Sequence, residues 1–228
     1  MPGDKFEILS LGSFWRDGHT FVEWNSQPSG LGQTYIIGDT HEIVDEDVTL
    51  YAIWDEYAIG EMGPAGGIVF YDKGTYSNSN WRFLEAATEY SGSTYPWAPP
   101  EFENTEINHS SYGKPDNWAL GDGGMANTLI IYLVMGDTGF MTGNIYAAYS
   151  VYWLFSQNGY SDWFLPTTNG LKELYQQRSL LSDYMEKIVY WSSNQYYSNQ
   201  AYAIDFSTGE ISRFYKDEKH RAWPIRKF

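Results

Sequence analysis

The chain has 228 residues, 29 acidic against 14 basic side chains, a formal net charge of -15 and no cysteine. That charge repels nucleic-acid phosphates and anionic lipid heads, so nucleic acid and membrane surfaces lose their usual electrostatic attraction. Without thiols there are no disulfides, no cysteine nucleophiles and no cysteine-ligated zinc. The length suits one large domain or two ordinary ones, and 22 Gly with 9 Pro point to many turns and modest helix content. With 20 Tyr and 10 Trp, the aromatic content exceeds what a core of this size needs, which places many rings at the surface. No apolar run is long enough to span a bilayer, and Met1–Lys5 has no signal-peptide hydrophobic region. An exported protein would therefore carry its targeting segment outside this sequence.

From Asp17 to Trp54, short apolar runs alternate with polar turns. Thr20–Trp24 and Val48–Trp54 read as strands, and Gln27–Gly32 reads as a loop. Pro2-Gly3-Asp4, Gly18-His19-Thr20-Phe21, Trp24-Asn25, Gly30, Gly38-Asp39-Thr40 and Asp47-Val48-Thr49-Leu50-Tyr51-Ala52, ending at Trp54, keep one order of landmarks. In these residues the segment resembles the bacterial surface B-repeat, also called the Listeria-Bacteroides repeat, whose role is that of a stalk or spacer. Glu23 stands where that family usually has Gly, and Ile53 where it usually has a polar residue. The family's opening strand is missing, so residues 1–55 are expected to be a truncated repeat that leans on its neighbour for stability.

A boundary is expected near Asp55-Glu56-Tyr57, with a second domain over 56–228. Gly60–Gly67 precedes the strand-like Ile68–Tyr71; with no Lys-Ser/Thr and no following helix, turn geometry explains it better than phosphate binding. Trp81–Ala87 reads as a strand. A long irregular segment then runs from Thr88 to about Gly124, anchored by Tyr95, Trp97, Phe102, Tyr112 and Trp118. Asp116, Asn117 and Asp122 lack a regular ligand spacing, so they read as turn residues rather than calcium ligands. Asn127-Thr128 is expected to cap a buried helix over Leu129–Met135 that stops at Gly136. Ala148, Val151, Tyr152 and Phe155 recur at helical spacing, with Asn158-Gly159 as the stop. Thr167 or Thr168 caps a third helix carrying Leu171, Leu174 and Tyr175 on one face.

Ala58-Ile59-Gly60, Gly63–Tyr71, Leu84–Ala87, Ala126–Thr128, Gly159–Thr167 and Tyr190–Ser193 together carry the main resemblance. They resemble the C-terminal domain of collagen-like and other bacterial surface proteins, a C-type-lectin-like domain close to the formylglycine-generating-enzyme type. The resemblance implies an α+β fold, with two or three helices on twisted antiparallel strands and long loops over one face. At Thr168-Asn169-Gly170, where the family more often places Lys-Asp-Glu, Gly170 cannot complete a capping box. The calcium-chelating sets of sugar-binding lectins and the cysteines of the oxidase chemistry are both missing, so neither activity follows from the fold.

His19, His41, His109 and His220 are scattered without metalloprotease spacing. Glu85, Glu89 and Asp162 leave a carboxylate pair for glycoside hydrolysis open, although solvated or turn roles are commoner for such acids. No catalytic residue, cofactor or metal is assigned, and the chain is expected not to be an enzyme.

Tyr190–Tyr202 crowds Tyr, Ser and Asn, the composition of antibody combining sites. After Trp191-Ser192-Ser193, Ala201, Phe206, Gly209, Lys216, Arg221, Arg226 and Phe228 look fixed. Tyr197, Asp205, Ser212, Arg213, Phe214, Tyr215, Asp217 and His220 stand between them, each encodable by an NNC codon, whereas Glu218 and Lys219 are not. In this respect 190–228 resembles the variable region of proteins diversified by retroelements that mutate adenines; an ordinary family member with drifted loops would show the same pattern, and both readings stay open. The expected ligand-binding set is Tyr196, Tyr197, Asp205, Ser212, Arg213, Phe214, Tyr215, Asp217, His220 and Trp223. Along Ala201–Phe206, alternation points Tyr202, Ile204 and Phe206 one way and Ala203 and Asp205 the other. The protein is expected to be a monomeric, surface-anchored extracellular binder of a protein or glycan on another cell, with a glycan-binding or carbohydrate-active protein as the alternative. Nucleic acid and membrane insertion are not expected.

Overall fold

The computed structural model describes residues 5–10, 12, 16, 19–42, 48–74, 81–90, 93–108, 110, 111, 113–137, 141 and 143–228. Pro2, Gly3, Asp4, Asp17, Gly18, Asp47, His109 and Tyr112 lie outside these residues. The chain is mixed α+β, mostly sheet with few helices, and divides into two compact units, Met1–Tyr57 and Ala58–Phe228.

In the first unit, β1 (Lys5–Glu7) pairs antiparallel with β4 (Thr40–Glu42). Strand β2 (His19–Asn25) lies between β3 (Thr34–Tyr35) and β5 (Tyr51–Glu56). The expected strand from Val48 begins only at Tyr51, and β1, β3 and β4 are too short to show a hydrophobic period in the sequence. Register shifts between Phe21 and Glu23, leaving Val22 as the extra residue of a bulge. Asn25 explains the Trp-Asn landmark: its buried side chain donates to Glu23, Gly30 and Gly32 and accepts from the Gln27 and Gly32 amides, closing the loop. A Cβ on Gly32 would lie 2.3 Å from Ser26 Oγ, so the loop requires glycine there.

The second unit contains two sheets. Strands β6 (Ile68–Asp72), β7 (Phe83–Ala86) and β13 (Ile225–Lys227) form one, in the order β13-β7-β6. Strands β8 (Thr94–Pro96), β9 (Val189–Tyr197), β10 (Gln200–Asp205), β11 (Glu210–Tyr215) and β12 (Lys219–Arg221) form the other, in the order β11-β10-β9-β12-β8. All pairings are antiparallel except β9 with β12.

Three described helices pack on these sheets: α1 (Asp122–Met135), α2 (Ala147–Tyr152) and α3 (Thr168–Gln176). Ile130, Ile131, Met135 and the buried face of α2 join Trp97, Trp163, Trp191, Ala201 and Ala203 in one core. Leu171 and Leu174 of α3 join Phe70, Leu84, Tyr190, Ile204, Phe206 and Ile225 in another. Because Ala203 and Ile204 point to opposite faces of β10, the five-stranded sheet is covered on both sides. That is why β9 is buried almost throughout although Ser192–Gln195 at its middle are polar.

Several local expectations are corrected. Helix α1 starts at Asp122, so Asn127 and Thr128 are buried interior residues rather than caps; with Gly123 and Gly124 in its first turns, the start carries no apolar period. A Cβ on Gly124 would sit 2.6 Å from the Phe164 ring, which is why glycine occupies that turn. Helix α2 ends at Tyr152, and Asn158-Gly159 is a two-residue hairpin turn with both φ angles positive, between the mutually bonded Gln157 and Tyr160. Strand β7 begins at Phe83 rather than Trp81. Thr167 is the cap of α3, its Oγ1 accepting from the Gly170 amide at 3.0 Å. The segment after Thr88 is not wholly irregular: it holds β8 and a 3-10 turn at Pro100–Phe102.

Candidate ligand-binding surface

The polar residues that made Tyr190–Tyr202 look adhesive are mostly inside. Ser192, Ser193, Asn194 and Gln195 are buried and build a hydrogen-bonded spine. Thr168 donates from its amide and its Oγ1 to Asn194 Oδ1, at 2.8 and 3.0 Å. Ser192 Oγ donates to the Tyr202 carbonyl, and Trp97 Nε1 donates to the Ser192 carbonyl. Asn127 Nδ2 donates to Asn117 O and Ser193 Oγ, and Asn194 Nδ2 donates to the same Asn117 carbonyl. These motif residues satisfy one another, as buried polar groups must.

Outward from this spine, the register of β9 against β10 shifts between Gln200, which pairs with Tyr197, and Ala201, which pairs with Gln195, leaving Tyr196 as the extra residue. Tyr196 and Tyr197 lie 4.1 Å apart by ring centroid, and Tyr196 meets Tyr202 edge-on at 5.3 Å. Tyr202 meets Trp118 edge-on at 4.9 Å, and the Arg213 guanidinium lies 4.5 Å from the Tyr196 ring centroid. Trp118 is fixed through its carbonyl, which accepts from Thr167 Oγ1 and Asn169 Nδ2 at the start of α3. Tyr215 stands opposite Gln200, which also pairs with Tyr197. Tyr197 is 60% exposed and Tyr215 53% exposed, so rings and one cation are presented to solvent over a rigid floor. The Tyr196 phenol is held below its ordinary value, first by its hydrogen bond with Tyr197 and further by Arg213, and the same hydrogen bond pushes Tyr197 up.

The expected set therefore divides. Tyr196, Tyr197, Arg213 and Tyr215 come together. Trp223 is corrected to a core residue: it is 3% exposed, edge-on to Tyr90 and Tyr190 at 6.0 and 5.9 Å. Phe214 and His220 turn inward, stacked edge-on at 4.4 Å, with His220 4.8 Å from the Trp191 ring. Burial lowers the His220 pKa, partly offset by Glu218. Ser212 faces Ala203 across the ladder and is half-buried. Asp205 is half-buried too, but its Oδ1 accepts from the Ser207 amide and hydroxyl, which makes it the organiser of the β10–β11 turn. That turn is about 17 Å along the hairpin from Gln200, at ~3.4 Å per residue. Asp217 is exposed in the turn that follows β11. Alternation groups Tyr202 with Ile204 and Phe206, and Trp118 reads in the sequence as a loop anchor; both border the patch, which the pairing of β9 with β10 assembles.

The glycine-rich loop and two of the candidate carboxylates, Glu85 and Asp162, are also accounted for, while Glu89 is exposed. Buried Glu85 accepts from the Ala65 and Gly67 amides and from Arg226 Nη1 at 2.9 Å. Arg226 Nε donates to Asp162 at 2.6 Å, and its guanidinium lies over the Tyr160 ring. Desolvation holds the Glu85 carboxyl above its ordinary value, with Arg226 and the loop amides pulling it partly back. The loop amides thus bind the protein's own carboxylate, and Glu85 is tied into a structural network with Asp162.

No protein-family model matches the chain. A protein of Evansella cellulosilytica with the provisional name Gly-rich membrane protein is 34% identical over 88 residues, 39% of this chain and 9% of its own length. A second from the same organism, provisionally named a membrane protein, is 44% identical over 39 residues, 17% of this chain and 6% of its own. The chain thus spans less than a tenth of either relative. Among solved structures, a fimbrial protein from Bacteroides ovatus aligns over 71% of this chain and 44% of its own at 13% identity and a TM-score of 0.47.

Proposed function

We propose that Ala58–Phe228 is a C-type-lectin-like binding head of a surface-displayed bacterial protein, and that it captures a ligand non-covalently on the patch formed by Tyr196, Tyr197, Arg213 and Tyr215. The observation that carries this reading is an exposed cluster of Tyr rings and one Arg at the sheet edge, standing on buried, fully hydrogen-bonded strand residues. Tyr and Arg dominate binding hot spots, and a rigid floor lowers the ordering cost of association. Outward Tyr197, Arg213 and Tyr215 are interspersed with buried Ala201, Phe206, Lys216 and Arg226, while Phe214 and His220 of the same set turn inward. The outward members support a retroelement-diversified variable surface. The first unit would then serve as a stalk repeat, and the names of the Evansella relatives are in keeping with a membrane-associated address. The chemistry is recognition, with no catalytic step and no cofactor.

The test applies the labelled chain to bacterial and host cells and to a glycan array with and without calcium. A variant carrying Tyr197→Ala, Arg213→Ala and Tyr215→Ala is expected to lose at least about tenfold in affinity, ~1.4 kcal/mol, with its melting temperature almost unchanged. Undiminished capture by that variant would sink the proposal. A near-copy of the 190–228 coding sequence, differing at adenines and lying beside a reverse transcriptase gene, is the outcome expected if the surface is diversified.

A further inference from the structure

A second aromatic surface of this unit shares no residue with the sheet-edge patch. Trp153, at the end of α2, is 58% exposed and stacks on Tyr132 of α1 at 5.5 Å with the ring planes 12° apart. Tyr132 also meets Tyr152 at 5.2 Å and Tyr149 at 6.2 Å, so the indole is backed on one side by packed rings. Beside it opens a cavity of about 440 Å³ lined by Met125, Tyr152, Trp153, Ser161 and Asp162. The Asp162 side chain is half exposed, although one of its oxygens accepts from Arg226 Nε at 2.6 Å. Leaving an indole in water forfeits the apolar stabilisation that packing would give, and exposed apolar surface rimmed by polar groups marks binding sites.

We infer that this cavity is a carbohydrate subsite that takes a neutral sugar ring, its C–H face lying against Trp153 and its hydroxyls reaching Asp162 and Ser161. A pyranose has an apolar face and a polar rim, and the cavity pairs one exposed indole with a carboxylate and a hydroxyl in the same way. The anchored carboxylate, with the formal net charge of -15, disfavours sulfated or uronic-acid sugars. The cavity volume is that of one or two sugar rings, which is small for a protein segment and large for a simple ammonium group.

The test titrates chitohexaose, cellohexaose and maltohexaose into the full chain by calorimetry, and follows the Trp153 indole N–H resonance in the ¹⁵N-labelled protein. At least one of these neutral oligosaccharides is expected to bind with Kd below about 1 mM and to shift that resonance. Trp153→Ala should weaken binding by about tenfold or more, Trp153→Phe by only a few-fold, and Tyr197→Ala not at all. The last comparison separates this site from the sheet-edge patch: loss on Tyr197→Ala with retention in Trp153→Ala would overturn the present inference and leave the other reading standing. Absence of binding by all three sugars, or a shift of the Trp153 resonance by choline chloride but by none of the sugars, would also overturn it. Should Trp153→Ala misfold, the indole resonance of the wild-type chain decides alone.

Discussion

Lys216 shows most clearly how a single side chain records its surroundings. It is fully buried, its Nζ donates to Thr105 O at 2.8 Å and Gln195 Oε1 at 2.7 Å, and it lies 4.8 Å from the Trp97 ring centroid. Burial lowers its pKa to about 7, with Glu106 opposing the fall. The unfolded chain holds that proton up to about pH 10.4. Below about pH 7 both states are protonated and the cost of burying the charge is carried in full; between pH 7 and about 10 the folded state releases the proton first, so stability rises with pH. Compared with Lys216→Met, the wild type should gain denaturant midpoint between pH 6.5 and 9; parallel curves would show a lysine with an ordinary pKa. In the sequence Lys216 read as a fixed position, but nothing around it announced burial, because its acceptors come from Thr105 and Gln195, far away along the chain. Trp223 misled for the matching reason: an aromatic near the end of a polar segment does not reveal that Tyr90 and Tyr190 enclose it.

At the level of elements, regular patterns were legible and polar ones were not. The apolar run Ile68–Tyr71 became β6, and Thr167 before Leu171 and Leu174 became the start of α3, since each shows a period or a cap in its own residues. Ser192–Gln195 is polar throughout and reads as surface; its burial depends on Asn117, Asn127 and Thr168, which reach it from other elements. The Trp153 platform had one faint signal, an indole just outside the helical set Ala148, Val151 and Tyr152. Glycines at close approaches carry sharper expectations. A Cβ at Gly63 would lie 2.5 Å from Glu85 Oε2, within the contact that holds the loop on β7. Gly63→Ala should therefore destabilise the chain by about 1–3 kcal/mol, read as a lower denaturant midpoint at constant slope. An unchanged midpoint would mean that the Glu85 cradle is looser than its hydrogen bonds indicate. Thr167→Ala removes the cap of α3 and should cost about 1 kcal/mol by the same measurement.

For the whole molecule, each unit carries its own buried residues. Ile8, Asn25 and Tyr35 belong to the first, while both large cores draw every member from the second. A fragment of residues 58–228 is accordingly expected to fold alone, with a cooperative thermal transition and near-ultraviolet dichroism from its buried Trp97, Trp163 and Trp191. A fragment showing secondary structure without that aromatic signal would refute the expectation. Among the described residues no helix is long and apolar enough to cross a membrane.

The covering of the five-stranded sheet on both faces bears on how a partner would come and go. With β9 held by hydrogen bonds and packed from both sides, rearrangement of the ground beneath the tyrosines before an encounter is disfavoured. Association should run as one exponential phase whose rate climbs linearly with partner concentration, and changes among Tyr197, Arg213 and Tyr215 should alter residence time far more than arrival rate.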